Sequence, residues 1–171
     1  MKIVSCRFDE MNIDDADLIE FPRGLVGLPQ AKQFVLLRKT PESPVGWLQS
    51  TTLPDFAVPV VSVEALATEI PLADMVDAVA KAGIDADIDQ CAVMAVICVP
   101  GANTPATVNL LAPIVVNATT RQGAQVILEG TQFTTHEPFM LARKPGRQAQ
   151  DHAPAPAVAA GTAEPLVSAS P

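Results

Sequence analysis

The chain has 171 residues, 49% of them apolar, and a formal net charge of −8, a size that holds one domain with a single substantial core. No run approaches the ~20 consecutive apolar residues of a membrane-spanning helix. The start of the chain, residues 1–7, lacks the apolar stretch and small-residue cleavage site of a secretory signal, so a soluble, cytosolic protein is expected. Residues 1–141 carry 8 basic and 17 acidic side chains, with no tyrosine and one tryptophan in the whole chain. Such a domain repels phosphates and offers bases little to stack on, which argues against direct nucleic-acid binding. A basic protein partner would instead be drawn to it.

In chain order, residues 2–8 are rich in β-branched and large apolar residues and predict a first strand. An acidic stretch follows, with Asp9, Glu10, Asp14, Asp15, Asp17 and Glu20. Gly24-Leu25-Val26-Gly27 lacks the spacing and the following Lys-Ser/Thr of a phosphate loop, and it reads as a turn that needs glycine backbone freedom. Residues 34–38 and 46–50 predict short strands; 56–63 predicts another, placed at an edge or bulge because Pro59 has no N–H for a ladder. Pro71 at a first helical position, then Leu72, Met75, Val76, Val79 and Ala80 at helical spacing, with Gly83 as terminator, predict one helix. Asp74 near its start, Lys81 near its end and the Asp77–Lys81 spacing all suit that element.

Asp85, Asp87 and Asp89 alternate, which puts them on one face if the segment is extended. They lack the twelve-residue loop and closing Glu of a calcium site and read as solvated acidity. Residues 91–99 are almost wholly apolar and predict a strand buried on both faces. Strands at 107–116 and 125–129 follow, joined by a turn at Arg121-Gln122-Gly123 into a hairpin. Strands on both sides of one helix, without βα alternation, predict a mainly β, compact antiparallel barrel-like domain over 1–141 with one short helix. From 142 to 171 nine alanines and five prolines without apolar periodicity predict a disordered tail.

Catalytic groups are sparse. His152 lies in the predicted tail, which leaves His136 as the one ordered imidazole, and no triad can be assembled around it. Cys6, Cys91 and Cys98 are odd in number and scattered, as expected of reduced, buried thiols rather than a disulfide framework. Cys91 and Cys98 fall on opposite faces of one strand and could not share a zinc ion. No enzyme activity, metal or cofactor is therefore expected.

Several ordered blocks remain. They are Phe21-Pro-Arg-Gly24-Leu-Val-Gly27-Leu, Phe34-Val-Leu-Leu37, Ser43-Pro44 and Leu48-Gln49-Ser50, followed by Asn109-Leu-Leu-Ala112-Pro113-Ile-Val-Val-Asn117 and Gly123-Ala-Gln125-Val-Ile-Leu128. In order and spacing they resemble the FliW family of flagellar assembly factors, over residues 1–140. The resemblance implies a β-barrel-like fold and a partner switch. Family members bind CsrA, an RNA-binding repressor of flagellin translation, and also flagellin; once flagellin is secreted, the freed protein antagonises CsrA non-competitively.

Protein-interaction candidates are Trp47, Gln49, Asp55, Phe56, Glu64, Glu69, Asn109, Pro113 and Asn117. Asn109 and Asn117 suit backbone turns at either end of the Ala112-Pro113 strand, and Pro113 implies an edge or bulge where a partner can dock. Trp47 and Phe56 would serve as anchors only if exposed. After the segment matching Val58-Pro59-Val60-Val61 the family usually has an Asn-Pro and aromatic-rich run associated with partner contact. Here residues 62–69 are shorter and carry no aromatic ring, a departure from the pattern. Two other readings stay open: a flagellin chaperone without a translational role, and a small β-barrel ligand-binding module.

Overall fold

The computed structural model describes residues 2–5 and 9–142. The chain opens with a hairpin of β1 (Lys2–Ser5) and β2 (Asp9–Asn12), with Lys2 paired to Glu10 across it. Residues 6–8 of the predicted first strand, Cys6 among them, lie outside the described residues. A second sheet holds β3 (Leu18–Glu20), β4 (Gln33–Arg38), β5 (Val45–Ser50), β6 (Ala57–Ser62), β7 (Cys91–Cys98), β8 (Thr107–Asn117), β9 (Gly123–Gln125) and β10 (Glu137–Pro138). From β3 to β8 each strand pairs antiparallel with the next, and β8 also pairs with β9 and β10. The Glu20 N–H donates to the Arg121 carbonyl at 2.8 Å, beside a parallel bridge from Glu20 to Gln122. That contact brings β3 back to the start of β9 and nearly closes the sheet into a barrel, so the predicted fold class is the observed one.

Strand alternation decides which side chains fill the barrel. Ile19, Phe34, Leu48, Val60, Met94, Ile114 and Val116 point inward and are buried together with Phe21. The Phe21 and Phe34 rings meet edge to face at 5.1 Å between centroids, and Phe34 meets Phe56 similarly at 6.2 Å. These offset geometries are favourable for quadrupolar rings. A second core lies outside the barrel. There Val61, Val93, Ala95, Ile97, Val108 and Val115 are covered by α1 (Leu72–Ala82) and by the chain after β9. β7 is thus sandwiched between two apolar layers, which explains its nearly unbroken apolar run.

α1 begins after Pro71, which occupies the N-cap position rather than the first helical one, and ends at Gly83 in the left-handed conformation (φ 67°). The Asp77–Lys81 pair forms at 2.9 Å. Its buried stripe is Ala78, Val79 and Ala82 with Met75 packed alongside; Leu72, Val76 and Ala80, predicted to lie on that stripe, are exposed.

The sheet also amends other sequence expectations. Pro59 lies opposite Trp47, and β7 pairs with β6 only from Val60 to Ser62. β6 is therefore an edge at Pro59 and an interior strand beyond it, as a residue without an N–H requires. The strand predicted at 125–129 is instead Gly123–Gln125, after which the Val126 and Leu128 N–H groups donate to the Pro113 and Leu111 carbonyls. Asp85, Asp87 and Asp89 do not lie along one strand: Asp87 caps a 3-10 turn at Ile88–Gln90 that contains Asp89. Cys98 is exposed and Cys91 half-buried, so neither thiol is a fully buried core residue. The short strands β2, β3 and β10 were not predicted. Beyond Ala142 the predicted tail lies outside the described residues.

Candidate protein-interaction surface

Residues 61–90 carry seven carboxylates against the single ammonium of Lys81, so six of the nine net negative charges of 1–141 sit in this one connection. It runs from the end of β6 through a 3-10 turn at Val63–Ala65, along α1, and through the Ile88–Gln90 turn into β7. Between these elements opens a groove of about 260 Å³, lined by Val63, Glu64, Leu72, Met75, Ile88 and Asp89 with the Cys91 thiol behind them. A second groove of about 240 Å³ shares Val63, Glu64 and Met75 and continues along 66–70, with Glu69 on its wall. No Lys, Arg or His lines either one among the described residues.

The two grooves adjoin at Val63, Glu64 and Met75 as one trough lined by apolar side chains and carboxylates. At its border Leu72 is 63% exposed, and Val76, a turn further along α1, is 48% exposed. Exposed apolar side chains beside carboxylates suit a partner segment that presents an apolar residue followed by a cation. Burial first, and then the Asp87 carboxylate, push the Cys91 thiol above its ordinary pKa, which lowers its thiolate fraction at a given pH. Among the described residues no group of three or more His, Cys, Asp or Glu side chains is arranged to hold a metal ion. His136 is exposed, its Nδ1 2.7 Å from the Thr135 hydroxyl. A further hollow, of about 430 Å³, lies between Arg23, the end of α1 and the start of β9. There the Arg23 guanidinium donates to the Ala82 carbonyl at 2.8 Å, satisfying the C-terminus of α1.

The structure separates the nine predicted interaction residues. Glu64 and Glu69 line the trough and are exposed, and Asp55 is exposed at the β5–β6 turn. Trp47 is half-buried on the outer barrel face between Leu37 and Pro59. Phe56 is partly buried against the inner core. Gln49 is fully buried, and its amide donates to the carbonyls of Ser50, Pro54 and Phe56. Asn109 Oδ1 accepts from the Ala112 N–H at 2.9 Å, and buried Asn117 accepts from Thr119 and Thr120 at 2.8 and 3.0 Å. Both asparagines thus hold backbone turns, as their positions predict. Pro113 sits in a bulge and is buried, so the bulge itself presents no open strand edge at that residue. Sequence reasoning missed Leu72, Val76 and Ile88 as surface-forming residues, whereas Asp89 was already read as solvated. Helical spacing gives no signal that separates Leu72 and Val76 from the buried part of the stripe.

A model of the family described as FliW protein matches residues 2–139. "Flagellar assembly factor FliW 2" of Desulfotalea psychrophila is 31% identical over 148 residues, covering 86% of this chain and 97% of that protein. "Flagellar assembly factor FliW" of Geobacter sulfurreducens is 32% identical over 139 residues, covering 81% and 86%. A crystal structure of the flagellar assembly factor FliW superposes with a TM-score of 0.65 at 27% identity, covering 81% of this chain and 96% of that one. No helix among the described residues is long and apolar enough to cross a membrane. With the barrel, its outer helix and the matched length all in agreement, this chain belongs to the FliW family.

Proposed function

We propose that the chain is a cytoplasmic, non-enzymatic flagellar assembly factor that binds CsrA and flagellin in alternation and relieves CsrA repression of flagellin translation. The observation that carries this reading is the acid-walled trough at α1, where apolar side chains and carboxylates coincide. A protein that binds RNA carries cations, and the field of this acidic face raises its rate of encounter even where the contact itself lies apart from the RNA-binding surface. Leu72, Val76, Glu64 and Glu69 are the proposed contacts, with Trp47 and Asp55 on separate surfaces open to the second partner. Residues 1–141 would form the binding unit.

The deciding experiment is titration of a complex of CsrA and flagellin leader RNA with this protein. The expected result is RNA release that added flagellin reverses. Retention of the RNA, with no complex between this protein and CsrA, would overturn the proposal. Capture of flagellin alone would leave a chaperone.

A further inference from the structure

The last described segment runs antiparallel to the turn that forms the trough. The Ala67 N–H donates to the Met140 carbonyl, Leu141 bridges Leu66, and the Ala142 N–H donates to the Ala65 carbonyl, both hydrogen bonds at 2.8 Å. The described chain thus ends at Ala142 opposite Ala65, one residue from Glu64 on the shared wall of both grooves. The next residue is Arg143, the first of Arg143-Lys144-Pro145-Gly146-Arg147, three cations in five residues with no carboxylate among them. The family model's match ends at residue 139, before this basic segment.

We propose that residues 143–147 occupy the acid-walled trough as an intramolecular ligand, with Arg143 beside Glu64 and Arg147 toward Asp89. Five residues reach roughly 17 Å when extended, enough to follow a groove that Glu64 and Asp89 both line. Arginine is charged at every physiological pH and its planar fork matches a carboxylate, while the lining offers carboxylates and no competing cation. Tethering supplies an effective concentration in the mM range, so a weak site is enough for occupancy. An external partner would then have to displace the segment, and its apparent affinity falls by the fraction of molecules with the trough open. The inference concerns occupancy of the trough and does not depend on which protein the trough serves.

The test uses the full chain and its variant Arg143→Gln/Lys144→Gln/Arg147→Gln, compared by amide resonances in solution. The Ile88–Cys91 amides decide, because they lie on the wall remote from the chain's exit, whereas Glu64 and Ala65 would sense any adjacent change. The expected result is displaced Ile88–Cys91 resonances in the variant, with β4 and β5 unmoved as proof of an intact fold. About 1 M salt, where the screening length is about 3 Å, should move the wild-type resonances toward those of the variant. Coincident Ile88–Cys91 resonances in the two proteins would overturn the proposal. So would resonance positions that depend on protein concentration, since the trough would then hold a second copy.

Discussion

Gly24 and Gly27 share one short motif and the same left-handed backbone, with φ of 70° and 80°, yet their surroundings differ. A Cβ on Gly24 would lie 2.5 Å from the Leu28 carbonyl oxygen and 2.7 Å from Pro29 Cα, whereas a Cβ on Gly27 would meet nothing within 4 Å. Gly27→Ala therefore costs only the backbone strain, about 1 kcal/mol, and Gly24→Ala adds a backbone collision that brings the loss above about 2 kcal/mol. Urea denaturation of the two variants measures both, and equal losses would contradict this account. The thiols make a second contrast. Cys98 is exposed, while Cys91 is half-buried with a raised pKa; a raised pKa leaves less thiolate at a given pH. Maleimide should therefore label Cys98 first at pH 7, with Cys91 gaining as the pH rises, as peptide-resolved mass spectrometry would show.

The densest stretch of the family resemblance, 109–128, describes one structural device. Asn109 pairs with Val96 and Ile114 with Met94, so Leu110 to Pro113 run past the single residue Ala95. Three surplus residues are an odd number, and the inward face of β8 therefore changes. Val108 and Leu110 pack toward α1, while Ile114 and Val116 fill the barrel. Gln125 locks the bulge: its Nε2 donates to the Ala112 carbonyl at 3.1 Å and its Oε1 accepts from the Val26 N–H at 3.0 Å. Gln125→Glu keeps the acceptor and loses the donor, and it should cost about 1–3 kcal/mol in thermal or chemical denaturation. Stability within about 0.5 kcal/mol of wild type would show that the bulge holds without this amide. Periodicity revealed β4 to β8 and α1, because their alternation or helical spacing is strong. It missed β2 and β3, whose residues are acidic or few, and the switch of face within β8, which depends on hydrogen bonds from 125–128 and Thr134 that are remote in sequence.

At the scale of the whole molecule, the acidic connection 61–90 also carries exposed apolar side chains, at Leu72 and Val76. The sequence displayed the acidity of 61–90 plainly, but Leu72 and Val76 read as core because helical spacing does not say how much of a stripe its neighbour covers. Small buried residues, Ala78 and Ala82, bring α1 close to the sheet and leave the rest of the stripe outside. If that exposure serves docking, its removal should separate stability from binding. Leu72→Ala/Val76→Ala changes side chains already 63% and 48% exposed, so the midpoint of unfolding should shift by no more than about 0.5 kcal/mol in stability. Affinity for the proposed basic partner should nevertheless fall by about tenfold or more, or about 1.4 kcal/mol. Glu64→Gln/Glu69→Gln should act differently, slowing association most at low ionic strength and converging with wild type as salt screens the field. Surface-binding kinetics at two salt concentrations distinguish these effects. Apolar variants that bind as wild type would move the docking face away from α1, toward the half-buried Trp47 between Leu37 and Pro59.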